Sequence, residues 1–350
     1  MAMENISAIL HGINDLRLEN TKIKEPKNDE VLLKMACVGI CGSDVHYLVN
    51  GRIGDFILNK PMIMGHEASG TVIKLGKEVK HLQIGDKVAI EPGIPCRICN
   101  FCKKGKYNLC AEMKFCATPP IDGNLQQYYT HPADLCFKLP KNVTLEEGAL
   151  AEPLSVAVHA CKRAKVRVGS KVMIIGAGTI GLMILVTAKA MGADKVVIAD
   201  VKKFNLEMAK KLGADGELLI VNPDSIEENI KNIKTLFEGF PNITIDATGV
   251  QSTINLALLV TEKGGSVVLV GMGSNEVKLP LIQALTKEVD IKSVFRYAND
   301  YSDALNILSK TDLDVKSMIT HRFKLHETIQ AFEEAKSRNN NTVKVMIYCD

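Results

Sequence analysis

The hydrophobic pattern divides the chain into two textures. Up to about residue 150, short apolar runs alternate with polar and glycine turns: Val31-Leu32-Leu33-Lys34-Met35-Ala36-Cys37, Gly70-Thr71-Val72-Ile73-Lys74-Leu75 and Asp86-Lys87-Val88-Ala89-Ile90. Runs this short and close predict an antiparallel β-rich unit. The texture changes near Glu152. From Lys171 onward strand-like and helix-like stretches alternate, with apolar runs at 171–175, 195–199, 243–247, 266–270 and 289–294. Phe204, Met208 and Leu212 recur at helical spacing, and Glu207 stands four before Lys211, a favourable exposed pair. That alternation predicts an α/β doubly wound parallel sheet with helices on both faces. In the tail, 327–337 reads as an amphipathic helix carrying Ile329 and Phe332, and 339–341 as a turn. A strand with Val343, Val345 and Ile347 in alternation follows. The tail is expected to return to the first unit.

One turn organises the second texture. Lys171-Val172-Met173-Ile174-Ile175 runs into Gly176, Gly178 and Gly181 at G-x-G-x-x-G spacing, and an apolar stretch then reaches Met191 before Gly192 stops it. Strand, tight turn and helix in that order make a dinucleotide-binding fingerprint. Gly176 permits the turn, Gly178 lets the backbone approach a pyrophosphate, and Gly181 lets the helix pack on the strand. Asp200 ends the next apolar run, where a carboxylate can hold the adenosine ribose hydroxyls. A glycine-bearing α/β turn capped by a surface aspartate is the plainer alternative.

Size and charge narrow the classes. The 350 residues suggest two domains, and 46% hydrophobic content supplies ample core. A net charge of +3, without single-sign blocks, points away from nucleic acid. No signal peptide is recognisable at the N-terminus, and no apolar run approaches the ~20 residues of a membrane span. A cytoplasmic location is expected, where ten cysteines point to metal ligation rather than disulfides.

Cys96, Cys99, Cys102 and Cys110 form C-x2-C-x2-C-x7-C. Four thiolates on one loop can close a tetrahedral shell around Zn²⁺, with iron–sulfur as an alternative. A second set is dispersed: Cys41-Gly42-Ser43-Asp44-Val45-His46, closing a strand with a glycine turn, then Gly65-His66-Glu67, then Glu152-Pro153. One thiol, one imidazole and carboxylates suit a zinc that keeps an open position. Read singly, Cys41 could equally be a buried thiol, His66 a hydrogen-bonded loop residue, and Glu152 a charge near a helix N-terminus.

Together, Cys41 to Tyr47, Gly65 to Gly70, Gly85-Asp86 and the cysteine loop resemble the zinc-containing medium-chain dehydrogenases. Ala117-Thr118-Pro119-Pro120, Asp122-Gly123-Asn124-Leu125, Glu152-Pro153-Leu154-Ser155 and Val294-Phe295-Arg296-Tyr297 narrow the resemblance to the family's sorbitol (L-iditol 2-) dehydrogenase branch. It covers nearly the whole chain. It implies a GroES-like β-rich catalytic domain, residues 1–154 with 295–350 returning to it, and a Rossmann domain over 155–294. The active site would lie in the cleft, and family members are typically homotetramers, with some dimers. The implied cofactors are NAD and two zinc ions, one catalytic and one structural at the four cysteines.

By the same resemblance, Cys41, His66 and Glu67 match catalytic zinc ligands, and Glu152 the carboxylate that holds the zinc-bound water or ligates directly. Neighbouring side chains tend to diverge, which makes Glu67 a weaker expectation than His66. Ser43 and His46 match a proton relay. Tyr47, Phe56, Thr118, Glu152, Arg296 and Tyr297 match polyol contacts. Gly176, Gly178, Ile180, Gly181, Asp200, Val270, Gly271, Met272, Val294, Phe295 and Arg296 match cofactor contacts. Departures exist: Thr179 replaces a common proline and Asn205 an arginine beside the adenosine. Asp200 would repel a 2′-phosphate and favours NAD, although Lys202 and Lys203 lie close. The implied activity is reversible hydride transfer at C2 of a polyol such as sorbitol or xylitol, with fructose the ketose of sorbitol. Its rivals are another zinc-dependent secondary alcohol or polyol dehydrogenase and a non-catalytic dinucleotide-binding protein.

Overall fold

The computed structural model describes residues 4–349 except 224, 311, 313 and 338–340, so most of the expected 339–341 turn lies outside the described residues. The chain forms two compact units. One comprises Met1–Glu152, Tyr301–Ser309 and Ile319–Asp350, the other Pro153–Asp300 and Lys310–Met318. The first division falls inside the helix Leu145–Ala164, which the change of texture near Glu152 does not mark. The helix continues through its interior Pro153.

The first unit is built on a seven-stranded sheet. Its order is Cys136–Lys138, Lys87–Ile90, Glu67–Leu75, Glu30–Gly39, Lys344–Tyr348 and Ile319–Lys324, with Tyr128–Pro132 also pairing Glu30–Gly39. Every pair is antiparallel except the last, Ile319–Lys324 with Lys344–Tyr348. Val31, Leu33, Val72, Val88, Ile90, Val345, Ile347 and Phe332 share one core. The terminal strand departs from the alternation expected of it, since Lys344 to Ile347 are all buried. The tail helix also begins one residue late, at Thr328, and leaves Ile329 43% exposed while burying Phe332.

The second unit holds a six-stranded parallel sheet in the order Gly216–Leu219, Lys195–Asp200, Lys171–Ile175, Ile243–Asp246, Ser266–Leu269, Asp290–Ser293. In sequence order that is 3-2-1-4-5-6, the doubly wound arrangement of a dinucleotide fold. Gly216–Leu219 escapes the sequence reading because a glycine and a glutamate occupy half of its four residues. The central strand has the opposite character. Val172 to Ile175 are at most 1% exposed, each such side chain contributing about 1.5–3 kcal/mol by leaving water. A continuous apolar run is what a strand buried on both faces requires.

Candidate functional site

The glycine turn needs its glycines for three separate reasons. Gly176 has φ +99°, which a side chain strongly disfavours. A Cβ on Gly181 would collide with the carbonyl oxygen of Gly176, so the helix Thr179–Ala190 could not approach the strand. Around Gly178 there is open space, and no side chain caps the helix that starts there. First-turn N–H groups with no side-chain cap favour an anion. Asp200 stands at the end of its strand, accepting hydrogen bonds from Ala177 N at 2.6 Å and Lys202 N at 2.8 Å. The Asn205 amide lies 3.4 Å from the same carboxylate. Val270 and Val294 are fixed at neighbouring strand ends by Asp246 O and Leu269 O, 2.9 and 3.0 Å away. Met272 and Phe295 are exposed, Ile180, Gly271 and Arg296 half-buried, and Tyr297 buried.

In the first unit, Cys41 to Tyr47 form a helix start rather than the glycine turn expected. Cys41 caps the helix Gly42–Asn50, and the Asp44 carboxylate accepts from Cys41 N at 3.0 Å. Ser43 and His46 are three apart, hence on one helix face. His46 is exposed, with Nδ1 3.3 Å from the Asn50 amide. Tyr47, four after Ser43, is buried. Phe56 is 42% exposed on the short hairpin Arg52–Ile53 with Phe56–Ile57. Thr118 bridges to Ile121 in the turn before Asp122.

His66 and Glu67 reach the same place from another direction. Residues 123–125 bond back onto 63–65, with Gly123 N to Ile63 O at 2.7 Å and Leu125 N to Met64 O at 2.8 Å, which fixes the chain entering His66. The Cys41 sulfur, a His66 nitrogen and a Glu67 carboxylate oxygen then lie within 4.8 Å of one another. The expected divergence of residues 66 and 67 is thus corrected, because the ligand atoms converge. Two features that sequence reasoning missed explain why. Gly39 is the strand partner of Glu67, and a Cβ there would occupy the carboxylate's position. Lys344, 3% exposed, donates to both Glu67 oxygens at 2.8 and 2.6 Å and to Ile40 O at 3.0 Å. The one available signal for Lys344 was a lysine inside an otherwise apolar strand. Glu152 is buried but outside this cluster.

Electrostatics fit a cation at this place. Burial pushes the His66 imidazole toward neutrality, but the Asp44 and Cys41 charges outweigh it and raise its pKa well above the usual value. Asp44 Oδ1 and His66 Nδ1 are buried 3.5 Å apart, neither with a hydrogen bond. For Lys344 likewise, burial opposes the charge and Glu67 and Cys41 restore it. Thiol, imidazole and carboxylate form a donor set that a dication would satisfy.

The cysteine loop is a second, closed set. Cys99 Sγ lies 3.5 Å and Cys96 Sγ 3.9 Å from Cys102 Sγ, and all four sulfurs fall within 4.8 Å. Tetrahedral Zn–S bonds of ~2.3 Å require sulfurs about 3.8 Å apart. The geometry matches. Backbone N–H groups of Cys96, Cys99 and Cys102 point at the sulfurs of Cys110, Cys96 and Cys99 from 3.4–3.5 Å. The N–H of Cys102 is the main cause of the Cys99 thiol falling to about 7, while burial and Cys99 push Cys102 up to about 12. None of the ten cysteines is in a disulfide.

Comparison with known proteins decides the family. Residues 27–141 match the alcohol dehydrogenase GroES-like domain and residues 179–310 the zinc-binding dehydrogenase domain. The chain is 54% identical to sorbitol dehydrogenase of Bos taurus over 347 residues, covering 99% of this chain and 97% of that one. The chain belongs to the zinc-containing medium-chain dehydrogenases, in their sorbitol dehydrogenase branch. Solved structures of Escherichia coli dehydrogenases share the fold. An oxidoreductase of unknown specificity superposes with TM-score 0.93 at 37% identity, and L-idonate 5-dehydrogenase with 0.91 at 29%, each over 99% of both chains. In a zinc-containing dehydrogenase, Cys41, His66 and Glu67 are the residues that could hold one ion, and Cys96, Cys99, Cys102 and Cys110 a second.

Proposed function

We propose that the chain transfers a hydride reversibly between C2 of a polyol and NAD, oxidising sorbitol to fructose and acting on xylitol as well. One observation carries the reading: Cys41, His66 and Glu67 converge in a chain 54% identical to a sorbitol dehydrogenase. Cys41, His66 and Glu67 would hold a zinc ion, which would supply Lewis-acid charge of the kind that takes water from a pKa of ~15.7 to about 7. In this reading Glu152 holds the water at the site. Ser43 and His46 carry the substrate hydroxyl proton toward solvent, and NAD held at the glycine turn would supply the hydride acceptor. Tyr47, Phe56, Thr118, Arg296 and Tyr297 select the polyol by contacts to its further hydroxyls. Asp200 bonds the adenosine ribose, and its charge disfavours a 2′-phosphate, so NAD is preferred to NADP.

The deciding experiment is initial-rate kinetics with NAD and NADP against sorbitol, xylitol and fructose, on protein of measured metal content. About two zincs per chain and NAD-dependent sorbitol oxidation are expected. Fully metallated protein that oxidises no polyol with either coenzyme would overturn the proposal.

A homotetramer, with a dimer as the alternative, belongs to the same reading. Leu281, Ile282 and Leu285 are 52, 72 and 70% exposed, and Asp290–Ser293 is an edge strand, both features of a surface that another copy covers. Light scattering distinguishes the two. A cytoplasmic location is proposed as well. Among the described residues no helix is long and apolar enough to cross a membrane, and the free thiols suit a reducing compartment.

A further inference from the structure

The segment that follows the last strand of the dinucleotide unit has unusual backbone. Arg296 and Asn299 adopt φ of +54° and +63°, a left-handed conformation that asparagine tolerates and arginine disfavours. A left-handed arginine persists only where the surroundings hold it. One group that holds the loop between Arg296 and Asn299 is Asp300, whose side chain is fully buried. Its Oδ2 accepts from Ala298 N at 3.0 Å and lies 3.0 Å from His159 Nδ1. Its Oδ1 accepts from Lys162 Nζ at 2.6 Å. His159 and Lys162 are three apart on the helix Leu145–Ala164 and so share a face. Burial alone would raise the Asp300 pKa, but hydrogen bonds from His159 and Lys162 hold it below the usual carboxylate value. A buried, charged carboxylate thus ties the loop to a long helix. No part of the chemistry described above uses it.

We propose that Asp300 is a positioning residue for polyol recognition: clamped by His159 and Lys162, it fixes the 296–299 loop in the conformation that presents Arg296 to the substrate. The inference rests on the reading of Arg296 as a polyol contact. None of the three clamp residues touches substrate. They act through the backbone of the loop, so their loss should weaken substrate affinity and leave the chemical step intact.

The test is steady-state kinetics at saturating NAD on Arg296→Ala, Asp300→Ala, Asp300→Asn, Lys162→Met and the double variant Arg296→Ala/Asp300→Asn. Arg296→Ala should raise the KM for sorbitol by at least about 10-fold, the effect of losing a charge-assisted hydrogen bond. Asp300→Ala should raise it by roughly 10-fold with kcat within about 2-fold of wild type. Asn keeps an acceptor for Ala298 N but loses the ion pair, so Asp300→Asn should fall between, at about 3-fold. The double variant should match Arg296→Ala alone, because Asp300 has no other route to the substrate. Multiplying effects in the double variant would overturn the proposal, as would unchanged KM in the Asp300 variants while Arg296→Ala weakens binding. The latter outcome would leave the proposed function standing. An unchanged KM in Arg296→Ala would instead remove the reading of Arg296 and the clamp's role with it. If the Asp300 variants fail to fold, Lys162→Met serves, since that side chain is 42% exposed and its removal opens no cavity. A KM rise of about 2-fold or more supports the clamp there, and none refutes it.

Discussion

The four sulfurs of the cysteine loop come from one short stretch and take their N–H bonds from that same stretch. Cys41, His66 and Glu67 come instead from a helix start and a strand start, and their geometry leans on Gly39 and on Lys344, 277 positions beyond Glu67. One centre is specified by local chain, the other by a finished sheet. The local centre is closed by four protein donors. The dispersed one offers three converging donors, so a four-coordinate ion held there would keep one position open. A run of hydrogen bonds and side-chain contacts joins the two regions. Tyr107 of the cysteine loop donates to the Glu91 carboxylate at 2.6 Å, and the Glu91 carbonyl lies 2.8 Å from His131 Nε2. Tyr129 OH then stands 3.2 Å from both His131 Nδ1 and Cys116 Sγ, next to Phe115, whose ring packs on His66.

The largest expected effect is at the dispersed centre. Cys41→Ser or His66→Ala should lower turnover by roughly 10³-fold or more and remove about one zinc per chain, while NADH binding stays near wild type. Metal analysis beside fluorescence titration checks this, and normal activity in either variant would refute the metal assignment. Lys344→Met should come next, because it leaves the Glu67 carboxylate buried without its counter-charge. A loss of about 3–5 kcal/mol in denaturant unfolding is expected, with Lys344→Arg losing less. A smaller effect should separate the centres. Cys99→Ser should lower the melting temperature by about 5–10 °C, yet leave turnover per folded chain close to wild type. Full stability with lost turnover would contradict its structural role.

The smallest effect probes the chain between the centres. Burial lowers the His131 pKa to about 4, so the folded state keeps this imidazole neutral while the unfolded state protonates near the ordinary value. The unfolded state therefore binds more protons as pH falls. Stability from this site is fully present above about pH 6.5 and is lost on descending toward pH 4. Between pH 7 and 5 the loss is about 2 kcal/mol. Unfolding curves at the two pH values should show a shallower pH dependence for His131→Asn, and an unchanged slope would remove His131 as its source.

What the sequence made legible follows the same division. The strand, glycine turn, helix and terminal Asp200 of the dinucleotide unit lie in consecutive residues, and periodicity and spacing are local quantities. The cysteine loop was legible for the same reason. The donors at 41, 66 and 67 read as a candidate zinc set from their chemistry, with plainer alternatives open for Cys41, His66 and Glu152, and family resemblance chose between them, since no fixed spacing links them. Gly39 carries no such signal, and Lys344 only that of a lysine inside an otherwise apolar strand. A lysine in a terminal strand looks like its solvent side, and a glycine before a turn looks like punctuation. Their meaning depends on Glu67 lying opposite Gly39 and on the strand Lys344–Tyr348 lying beside Glu30–Gly39. The 41–47 stretch was misread because Cys41 is an uncommon helix cap, and only the Asp44 carboxylate on its backbone reveals the helix start.

The placement of Lys344–Tyr348 between Glu30–Gly39 and Ile319–Lys324 also orders events during synthesis. A nascent chain can gather its four sulfurs once Cys110 has left the ribosome. The charge that neutralises Glu67 is still untranslated then. Metal offered to the growing chain therefore meets a complete set of four sulfurs long before Cys41, His66 and Glu67 stand in their finished surroundings.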